Sequence, residues 1–372
     1  MQTEYFGNGA LDNLKSVIAN HSPSKVFVVT GGKSYRQSGA ESIIDTTLKG
    51  INTFRYFGFE ENPKIEDLLE GASLINDFDP DLIIAVGGGS VIDTAKIISV
   101  LPDKADEATN MIKGDYLQLN KLAPIVAIPT TSGSGSEATH FAVAYIQSIK
   151  YSVAHSDILP DYSIIDPTLT YSMSPYQTAV SGLDALSQAI ESGWANGTTE
   201  LSKKYSLEAI DLILDNIKNA VHNPCPDSRL KMAKGSNLAG KAINISKTTA
   251  PHAMSYGLTS KYQIPHGHAV AVTLGHFFVL NKKLALVQEN IELDKYMNQL
   301  VQKFGTNDVE LAKNRFYGLV ESLGLKLRLK EIGLHDEEDL DDLVKSVNVE
   351  RLQNHPIKLD KNMLLEILKK AL

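Results

Sequence analysis

The stretch that decides the fold is DLIIAVGGGSVIDTAK, residues 81–96. Its apolar run at 82–86 is typical of a strand buried on both faces, and three glycines and a helical pattern follow it. Ser90 is a candidate N-cap for that helix, with Asp93 three residues further on. Glycines allow the backbone to approach a phosphate closely, and the N–H groups at a helix N-terminus favour an anion. The stretch therefore predicts a phosphate-binding turn, although a tight strand-to-helix turn without a ligand fits the same residues.

The same alternation of strand and helix extends to both sides of this stretch. Strand-like runs bounded by Gly or Pro lie at 25–30 (KVFVVT), 124–129 (PIVAIP) and 162–166 (YSIID), with helical patterns between them. After residue 175 the strand-like runs cease, and apolar residues recur at helical spacing, as in EAIDLILDNIKNAV (208–221). The pattern predicts a Rossmann-like α/β domain with a mostly parallel sheet over residues 1–165, followed by an all-helical domain over residues 166–372.

Composition excludes several classes of protein. The chain has 372 residues, of which 43% are hydrophobic and 22% charged, and its formal net charge is −8, which argues against a general nucleic-acid or membrane-surface binder. Its single cysteine, Cys225, rules out an intramolecular disulfide. The N-terminal residues lack the pattern of a signal peptide, and no apolar run approaches the length of a membrane span. We therefore expect a cytoplasmic protein that acts on a small molecule.

A second glycine-rich loop, PTTSGSGSEAT (129–139), follows another predicted strand. Two such loops at the carboxyl ends of strands fit a dinucleotide better than a mononucleotide. The turn after the predicted strand at 25–30, GGKSYRQSG (31–39), has no acid that would hydrogen-bond to the adenosine ribose. Lys33 or Arg36 in this turn can instead bind a 2′-phosphate. We therefore expect a nicotinamide cofactor, with NADPH favoured over NADH.

Candidate metal ligands lie in the second half. The helical pattern SGLDALSQAIES (181–192) places Asp184 and Gln188 four residues apart on one face. Together with His252 and His266 they would form a mixed oxygen and nitrogen set suited to Fe²⁺ or Zn²⁺. A helix with a polar face and two surface histidines would give the same residues.

Five motifs, in this order along the chain, resemble those of the iron-containing, group III metal-dependent alcohol dehydrogenases: GGGSVIDTAK, PTTSGSGSEAT, IIDPTLT, GLDALSQAIES and PHAMSYGLTSKYQIPHGHAVAV. The resemblance covers nearly the whole chain. It implies the two-domain architecture shared with dehydroquinate synthase, with a nucleotide-binding domain ahead of a helical one. It also implies hydride transfer between NAD(P)H and a carbonyl, typically from aldehyde to primary alcohol, and assembly as a homodimer or larger homo-oligomer.

Carried over by position, the family's metal ligands fall on Asp184, His252 and His266. Gln188 and Tyr256 stand where the family commonly has histidines, so Gln188 is either a fourth ligand or a partner of the ligands, and the metal can be Fe²⁺ or Zn²⁺. Tyr256, whose phenol can relay a proton, and His266 are the predicted catalytic residues. The predicted cofactor contacts are Gly31, Gly32, Ser34, Gly87, Gly88, Gly89, Ser90, Asp93, Thr130, Thr131, Ser134 and Lys150.

The segment ahead of the first histidine predicts the substrate. Lys247 supplies a cation and Thr248 and Thr249 supply hydroxyls, and charge-assisted bonds to an anion are strong. A solvated helix end that bears lysines is the alternative. His268 either lines the pocket or is structural. Within the family this segment resembles the phosphonoacetaldehyde reductases, so the expected substrate is a small anionic aldehyde such as phosphonoacetaldehyde, reduced to 2-hydroxyethylphosphonate in phosphonate metabolism.

Three other functions stay open at this point. A general aldehyde or alcohol dehydrogenase has the same motifs. An enzyme like dehydroquinate synthase or glycerol-1-phosphate dehydrogenase also combines a dinucleotide, a metal and a phosphorylated substrate. A non-catalytic nucleotide-binding protein is supported only by the absence of histidine at Gln188 and Tyr256.

Overall fold

The computed structural model describes residues 2–115, 119–147, 149–334, 337–345, 347 and 352–372. The chain divides into two compact units, Met1–Met173 and Ser174–Leu372. This boundary falls shortly after the predicted one, because the turn Pro167–Thr170 stays with the first unit. Asp166, just ahead of that turn, accepts the backbone N–H of Leu11 at 3.1 Å.

The first unit contains a parallel sheet and a separate hairpin. Its strands are β1 (Thr3–Phe6), β2 (Lys25–Thr30), β3 (Asn52–Tyr56), β4 (Leu82–Gly87), β5 (Ile125–Pro129), β6 (Phe141–Ile146), β7 (Ile149–Ala154) and β8 (Tyr162–Ile165). Within the described residues the sheet has the order β1-β8-β5-β4-β2-β3 with parallel pairing throughout, and β6 and β7 form an antiparallel hairpin. The helices of this unit are α1 (Leu14–His21), α2 (Lys33–Gln37), α3 (Ala40–Thr47), α4 (Ile65–Phe78), α5 (Gly89–Ile98) and α6 (Ala105–Ile112).

The apolar runs form strands because both of their faces are buried. In β2, Phe27 and Val29 belong to one apolar cluster of the unit, whereas Val26 and Val28 belong to the other. A strand covered on both faces is continuously apolar rather than alternating, as the sequence predicted. The four predicted strands are β2, β4, β5 and β8, so the mostly parallel sheet is confirmed. The strands β1 and β3 and the β6–β7 hairpin were not predicted.

The second unit is helical in its described part, as predicted. Its helices are α7 (Pro175–Trp194), α8 (Glu200–His222), α9 (Pro226–Ser246), α10 (Ala250–Tyr262), α11 (His266–Val287), α12 (Ile291–Lys303), α13 (Val309–Ser322), α14 (Glu337–Lys345) and α15 (Lys361–Ala371). Helices α7, α8 and α9 pack closely, and at Gly182 a side-chain carbon would lie 2.7 Å from Met232 and 2.8 Å from Ile217. This glycine thus permits the close approach of the helices that fixes α7 in place.

Helix α11 is long and apolar enough to cross a membrane by length and composition, so the prediction that no run approaches a span is wrong for this segment. However, 56% of its most apolar window is buried inside the unit, and its first residue is the candidate ligand His266. Burial of this kind is typical of the core helix of a globular protein.

Candidate metal centre and nucleotide-binding loops

One face of α7 carries three buried polar side chains, Asp184, Gln188 and Glu191. They stand at positions i, i+4 and i+7, which lie one above another on a helix. Polar groups are buried at such cost only when other groups compensate them, so their partners indicate what the face does.

Asp184 lies beside two histidine rings from other helices. Its Oδ1 atom is 3.5 Å from Nε2 of His252, in α10, and 4.0 Å from Nε2 of His266, the first residue of α11. One ligand atom from each of the three residues lies within 4.8 Å of the other two. The two rings meet edge to face, with centroids 5.2 Å apart. The structure therefore brings the three predicted ligands together.

The ring of His252 is oriented by Glu191. Its Nδ1 atom forms a short hydrogen bond with Glu191 Oε1, which leaves Nε2 facing Asp184. Burial disfavours the charged ring, but the carboxylates of Glu191 and Asp184 outweigh this effect and raise the pKa of His252 to about 10. The negative potential that attracts a proton to this ring also favours a divalent cation.

The ring of His266 is oriented in a similar way by Ser255. The Ser255 hydroxyl donates to the backbone carbonyl of His252 at 2.8 Å, so it is placed to accept the Nδ1–H of His266 at 3.2 Å. This network assigns the tautomer of His266 that has its lone pair on Nε2. Both histidines thus use Nδ1 to bind the protein and turn Nε2 toward the same carboxylate oxygen, as in proteins where imidazoles bind a metal.

Gln188 completes the candidate donor set. Its amide Nε2 donates to Asp184 Oδ2 at 3.1 Å. Its Oε1 atom and His252 Nε2 are buried and have no hydrogen-bond partner among the described residues. One carboxylate, two imidazoles and one amide oxygen fit a divalent transition metal such as Fe²⁺ or Zn²⁺.

The predicted catalytic tyrosine lies beside this centre. Tyr256, one turn after His252 in α10, stacks on the ring of His266 with centroids 5.8 Å apart and planes 19° from parallel. His268 makes a different contact, since its Nε2 is 2.5 Å from the carbonyl oxygen of Lys326 and burial lowers its pKa. His268 Nε2 is therefore engaged in a hydrogen bond with a backbone carbonyl.

The predicted substrate residues lie between α9 and α10 and differ in exposure. The side chain of Lys247 is exposed, whereas Thr248 and Thr249 are buried. The hydroxyl of Thr249 donates to Glu191 at 2.8 Å and accepts from Trp194 Nε1 at 2.9 Å, so its only donor is already used within the protein.

Three predicted cofactor loops follow the neighbouring strands β2, β4 and β5. Backbone hydrogen bonds tie their starts together, from Gly31 N to Val86 O at 3.4 Å and from Thr130 N to Gly87 O at 2.9 Å. The connections from β2 and β4 lead to opposite sides of the sheet, and such a switch point is where open α/β sheets bind ligands. The structure therefore brings the predicted loops to one edge.

The glycines of the β4 loop allow the second loop to approach it. A side-chain carbon at Gly89 would lie 2.6 Å from the hydroxyl of Ser134, and one at Gly88 would lie 3.4 Å from Thr131. The predicted N-cap is wrong, because α5 begins at Gly89 after an extended Gly88. Ser90 is instead inside the helix, where its hydroxyl accepts the N–H of Asn62 at 3.3 Å.

Asp93 joins α5 to the hairpin. Its carboxylate accepts the N–H of Val143 at 3.0 Å, and the fully buried Lys96 donates to Thr139 and to the carbonyl of Phe141 at 3.0 Å each. Burial lowers the pKa of Lys96 to about 8, against the attraction of the nearby Asp93. These charges hold the hairpin strand β6 against the helix of the glycine loop.

The other predicted cofactor residues lie near Asp93 and Lys96 and in the turn after β2. Burial raises the pKa of the Asp93 carboxyl, and the charges of Lys96 and of Lys150, which is half-buried on β7, oppose this effect. Gly32 precedes α2, which holds Lys33 and Ser34 in its first turn, and Arg36 pairs with Glu41 at 2.9 Å.

Sequence reasoning missed Glu191 and Ser255, the two residues that orient the histidines. The spacing of Asp184, Gln188 and Glu191 could have indicated the first, because all three share one helix face. No sequence signal identifies Ser255, since serines are common in helices and its role depends on the fold around it.

Comparisons with known proteins agree with this geometry. Residues 2–167 match the family model for iron-containing alcohol dehydrogenase, and residues 178–372 match the C-terminal model of the same family. The chain is 32% identical over 344 residues to the NADPH-dependent butanol dehydrogenase of Clostridium saccharobutylicum, covering 90% of this chain and 86% of that protein.

Two solved structures extend the comparison. An alcohol dehydrogenase from Oenococcus oeni is similar with a TM-score of 0.89 and 29% identity, covering 100% of this chain and 98% of that one. A sulfoacetaldehyde reductase from Bifidobacterium kashiwanohense, solved with NAD⁺, is similar with a TM-score of 0.87 and 29% identity, covering 100% of this chain and 96% of that one. With its parallel sheet, its helical second unit and its aspartate–histidine centre, this chain belongs to the iron-containing alcohol dehydrogenase family and is an NAD(P)-linked oxidoreductase.

Proposed function

We propose that the protein reduces a short anionic aldehyde to the corresponding primary alcohol, with NADPH as the favoured hydride donor. Asp184, His252 and His266 hold a divalent metal, Fe²⁺ or Zn²⁺, and Gln188 supplies either a fourth ligand or the hydrogen bond that orients Asp184. A metal held by these residues would act as a Lewis acid toward a carbonyl oxygen, and a bound nicotinamide would supply the hydride. The convergence of the three ligands on one point is the observation that carries this proposal.

The residues around the centre differ in their access to solvent. The side chain of His266 is 29% exposed, whereas that of His252 is 4% exposed, so the centre opens on the side of His266. Tyr256 is half-buried and stacks on that same ring, beside the exposed side of the centre. This position supports its role as the group that relays a proton toward the alkoxide oxygen. His266 contributes as a ligand, and its ring is the surface against which Tyr256 stacks.

The anionic character of the substrate rests on Lys247. Lys247 is exposed, and it stands two residues before Thr249, which bonds to Glu191, the partner of the candidate ligand His252. One relative of the same fold is a sulfoacetaldehyde reductase. A sulfonate and a phosphonate are both tetrahedral oxyanions, and lysine binds such groups well. Phosphonoacetaldehyde, reduced to 2-hydroxyethylphosphonate, is the substrate we favour.

The preference for NADPH rests on the turn after β2. Gly31 and Gly32 stand there without an acid, and Lys33 opens the helix that follows. A cation without a competing carboxylate favours a 2′-phosphate. One relative is an NADPH-dependent butanol dehydrogenase, and the cofactor of that enzyme agrees with this preference. A cytoplasmic location and a homo-oligomeric state remain predictions.

The decisive experiment measures NADPH oxidation by the protein loaded with Fe²⁺ or Zn²⁺. Phosphonoacetaldehyde and sulfoacetaldehyde would be compared with a neutral aldehyde of similar length, and NADH with NADPH. We expect kcat/KM for the anionic aldehydes to exceed that for the neutral one by roughly tenfold or more, the effect of a charge-assisted bond of about 1.5–3 kcal/mol. Lys247→Met, which keeps the length of the side chain, should remove most of this preference.

Two further results test the competing functions. Equal rates with charged and neutral aldehydes would indicate a general aldehyde reductase. Conversion of substrate without net oxidation of NADPH would favour chemistry like that of dehydroquinate synthase, where the bound cofactor is recycled. Metal analysis of Asp184→Ala should show loss of the bound metal, and unchanged occupancy would refute the ligand assignment.

A further inference from the structure

Glu191 is a fully buried carboxylate whose two oxygens bind different parts of the protein. Oε1 bonds to Nδ1 of His252, while Oε2 accepts the backbone N–H of Thr249 at 2.7 Å and its hydroxyl at 2.8 Å. We propose that Glu191 is a positioning residue for the metal centre, which fixes the ring of His252 and the start of α10 against α7. This inference rests on the metal-dependent function proposed above.

The placement of the carboxylate argues for more than structural support. A buried carboxylate costs free energy unless hydrogen bonds compensate it, and the start of α10 alone could satisfy only one of the two oxygens. The second oxygen bonds to the one nitrogen of His252 that does not face Asp184. A carboxylate at that nitrogen holds the tautomer with the lone pair on Nε2 and makes that atom a stronger ligand.

The charge of Glu191 also compensates for the neutral amide donor at Gln188. An amide oxygen is neutral and binds a divalent cation more weakly than a charged ligand. The second negative charge next to the centre comes instead from Glu191, one turn further along the same face of α7. Its field acts through the ring of His252. Metal affinity that an amide fails to provide is thus restored by the carboxylate behind the imidazole.

The bonds to Thr249 fix the distance between α7 and α10, two of the three helices that carry candidate ligands. Thr249 is the residue before α10, and the backbone N–H there would otherwise lack an acceptor. Trp194, the last residue of α7, donates to the hydroxyl of Thr249 at 2.9 Å. Glu191 and Trp194 thus both hold α10, but only Glu191 also touches a metal ligand. The two residues therefore give a matched pair of variants.

The experiment compares the Zn²⁺ affinity of full-length wild-type, Glu191→Gln and Trp194→Phe proteins after the metal has been removed, by competition with a coloured chelator. Urea unfolding of the metal-free proteins is measured in parallel. Because loss of an orienting partner of a metal ligand costs about 10–100-fold in affinity, we expect Glu191→Gln to bind Zn²⁺ weaker by that factor. Trp194→Phe should lower the urea concentration at the midpoint of unfolding, because it removes one buried hydrogen bond and part of the packing of a buried indole. Its Zn²⁺ affinity should stay within about threefold of wild type.

Two outcomes would overturn the inference. Glu191→Gln could bind Zn²⁺ within about threefold of wild type, or Trp194→Phe could lose as much affinity as Glu191→Gln, which would make the effect a general loosening of α10. If Glu191→Gln does not fold, Glu191→Asp gives the same comparison, because it keeps the charge but withdraws it from the ring. A wild-type protein that binds no divalent metal would refute the metal-dependent function itself. A wild-type protein that binds metal but does not prefer anionic aldehydes would refute only the proposed substrate.

Discussion

Lys247 has a backbone conformation that glycine normally adopts. Its φ is 62° and its ψ is 177°, just after the last residue of α9. In this region the side chain of an L-residue is crowded, at a cost of about 1–3 kcal/mol. Lys247→Gly removes the crowding but raises the entropy of the unfolded chain by about 0.5–1 kcal/mol. We therefore expect the variant to be more stable than the wild type by roughly 0.5–2 kcal/mol.

The assay is urea unfolding of the metal-free wild-type, Lys247→Gly and Lys247→Ala proteins. Lys247→Ala keeps a β-carbon, so its backbone stays strained and its stability should be close to that of the wild type. In thermal unfolding, each kcal/mol gained should raise Tm by about 2–4 °C for a unit of this size. Both variants lose the cation, so both should lose the preference for anionic aldehydes.

The two readouts separate the backbone from the charge. If Lys247→Gly is no more stable than Lys247→Ala, the turn is not strained and the reasoning fails. If Lys247→Gly is more stable and still prefers anionic aldehydes, the strain is real but the lysine does not bind the substrate. The expected result is gain of stability with loss of specificity, since a strained residue is retained where its side chain serves function.

Three other predictions concern buried polar contacts. Asn354 donates to the carbonyls on both sides of Lys247 at 2.8 and 2.9 Å, so Asn354→Ala should lower stability by about 1–3 kcal/mol in urea unfolding and raise KM for the anionic aldehyde more than for the neutral one. Lys96→Met leaves the buried Asp93 with the half-buried Lys150 in place of its nearest counter-charge, and we expect the free energy of unfolding to fall by about 3 kcal/mol. NADPH binding in a fluorescence titration should also weaken; an NADPH affinity equal to that of the wild type would show that Asp93 and Lys96 do not support the cofactor site. Burial lowers the pKa of His355 to about 3, below its unfolded value of 6.5, so its contribution to stability is present above pH 6.5 and is lost as the pH falls toward 3. His355→Gln keeps a donor that does not titrate, and it should reduce the loss between pH 6.5 and 4 by up to about 3 kcal/mol; equal pH profiles for the two proteins would contradict this.

The parallel sheet was predictable because its strands are buried on both faces. Strands β2, β4 and β5 are continuous apolar runs that end in glycine or proline, and this pattern has few other solutions. The edge strand β3 (NTFRY) and the hairpin β6–β7 were missed for the opposite reason. Strands β3 and β7 are partly exposed and mixed in polarity, and β6 (FAVAYI) is apolar but only partly buried, so their pairing depends on neighbours that the local sequence does not specify.

The metal ligands were predicted mainly from family motifs, and their geometry came from the fold. Asp184 and His252 are 68 positions apart in sequence, and no periodicity relates a residue of α7 to one of α10. The groups that orient the ligands were harder still to predict. Glu191 and Ser255 have ordinary residue types at ordinary helical positions, and their role appears only when α7, α10 and α11 meet. The strain at Lys247 likewise comes from the path between two helices.

The spacing along α7 has a consequence for insertions and deletions. A candidate metal ligand, the amide that bonds to it and the carboxylate that orients a second candidate ligand occupy one face over eight residues, Asp184 to Glu191. An α-helix turns by about 100° per residue, so removing or adding one residue inside this interval would swing one part of the face away from the other. A substitution in this stretch can leave the face intact, but an insertion or deletion always misaligns it. The number of residues in this stretch is therefore constrained as tightly as their chemistry.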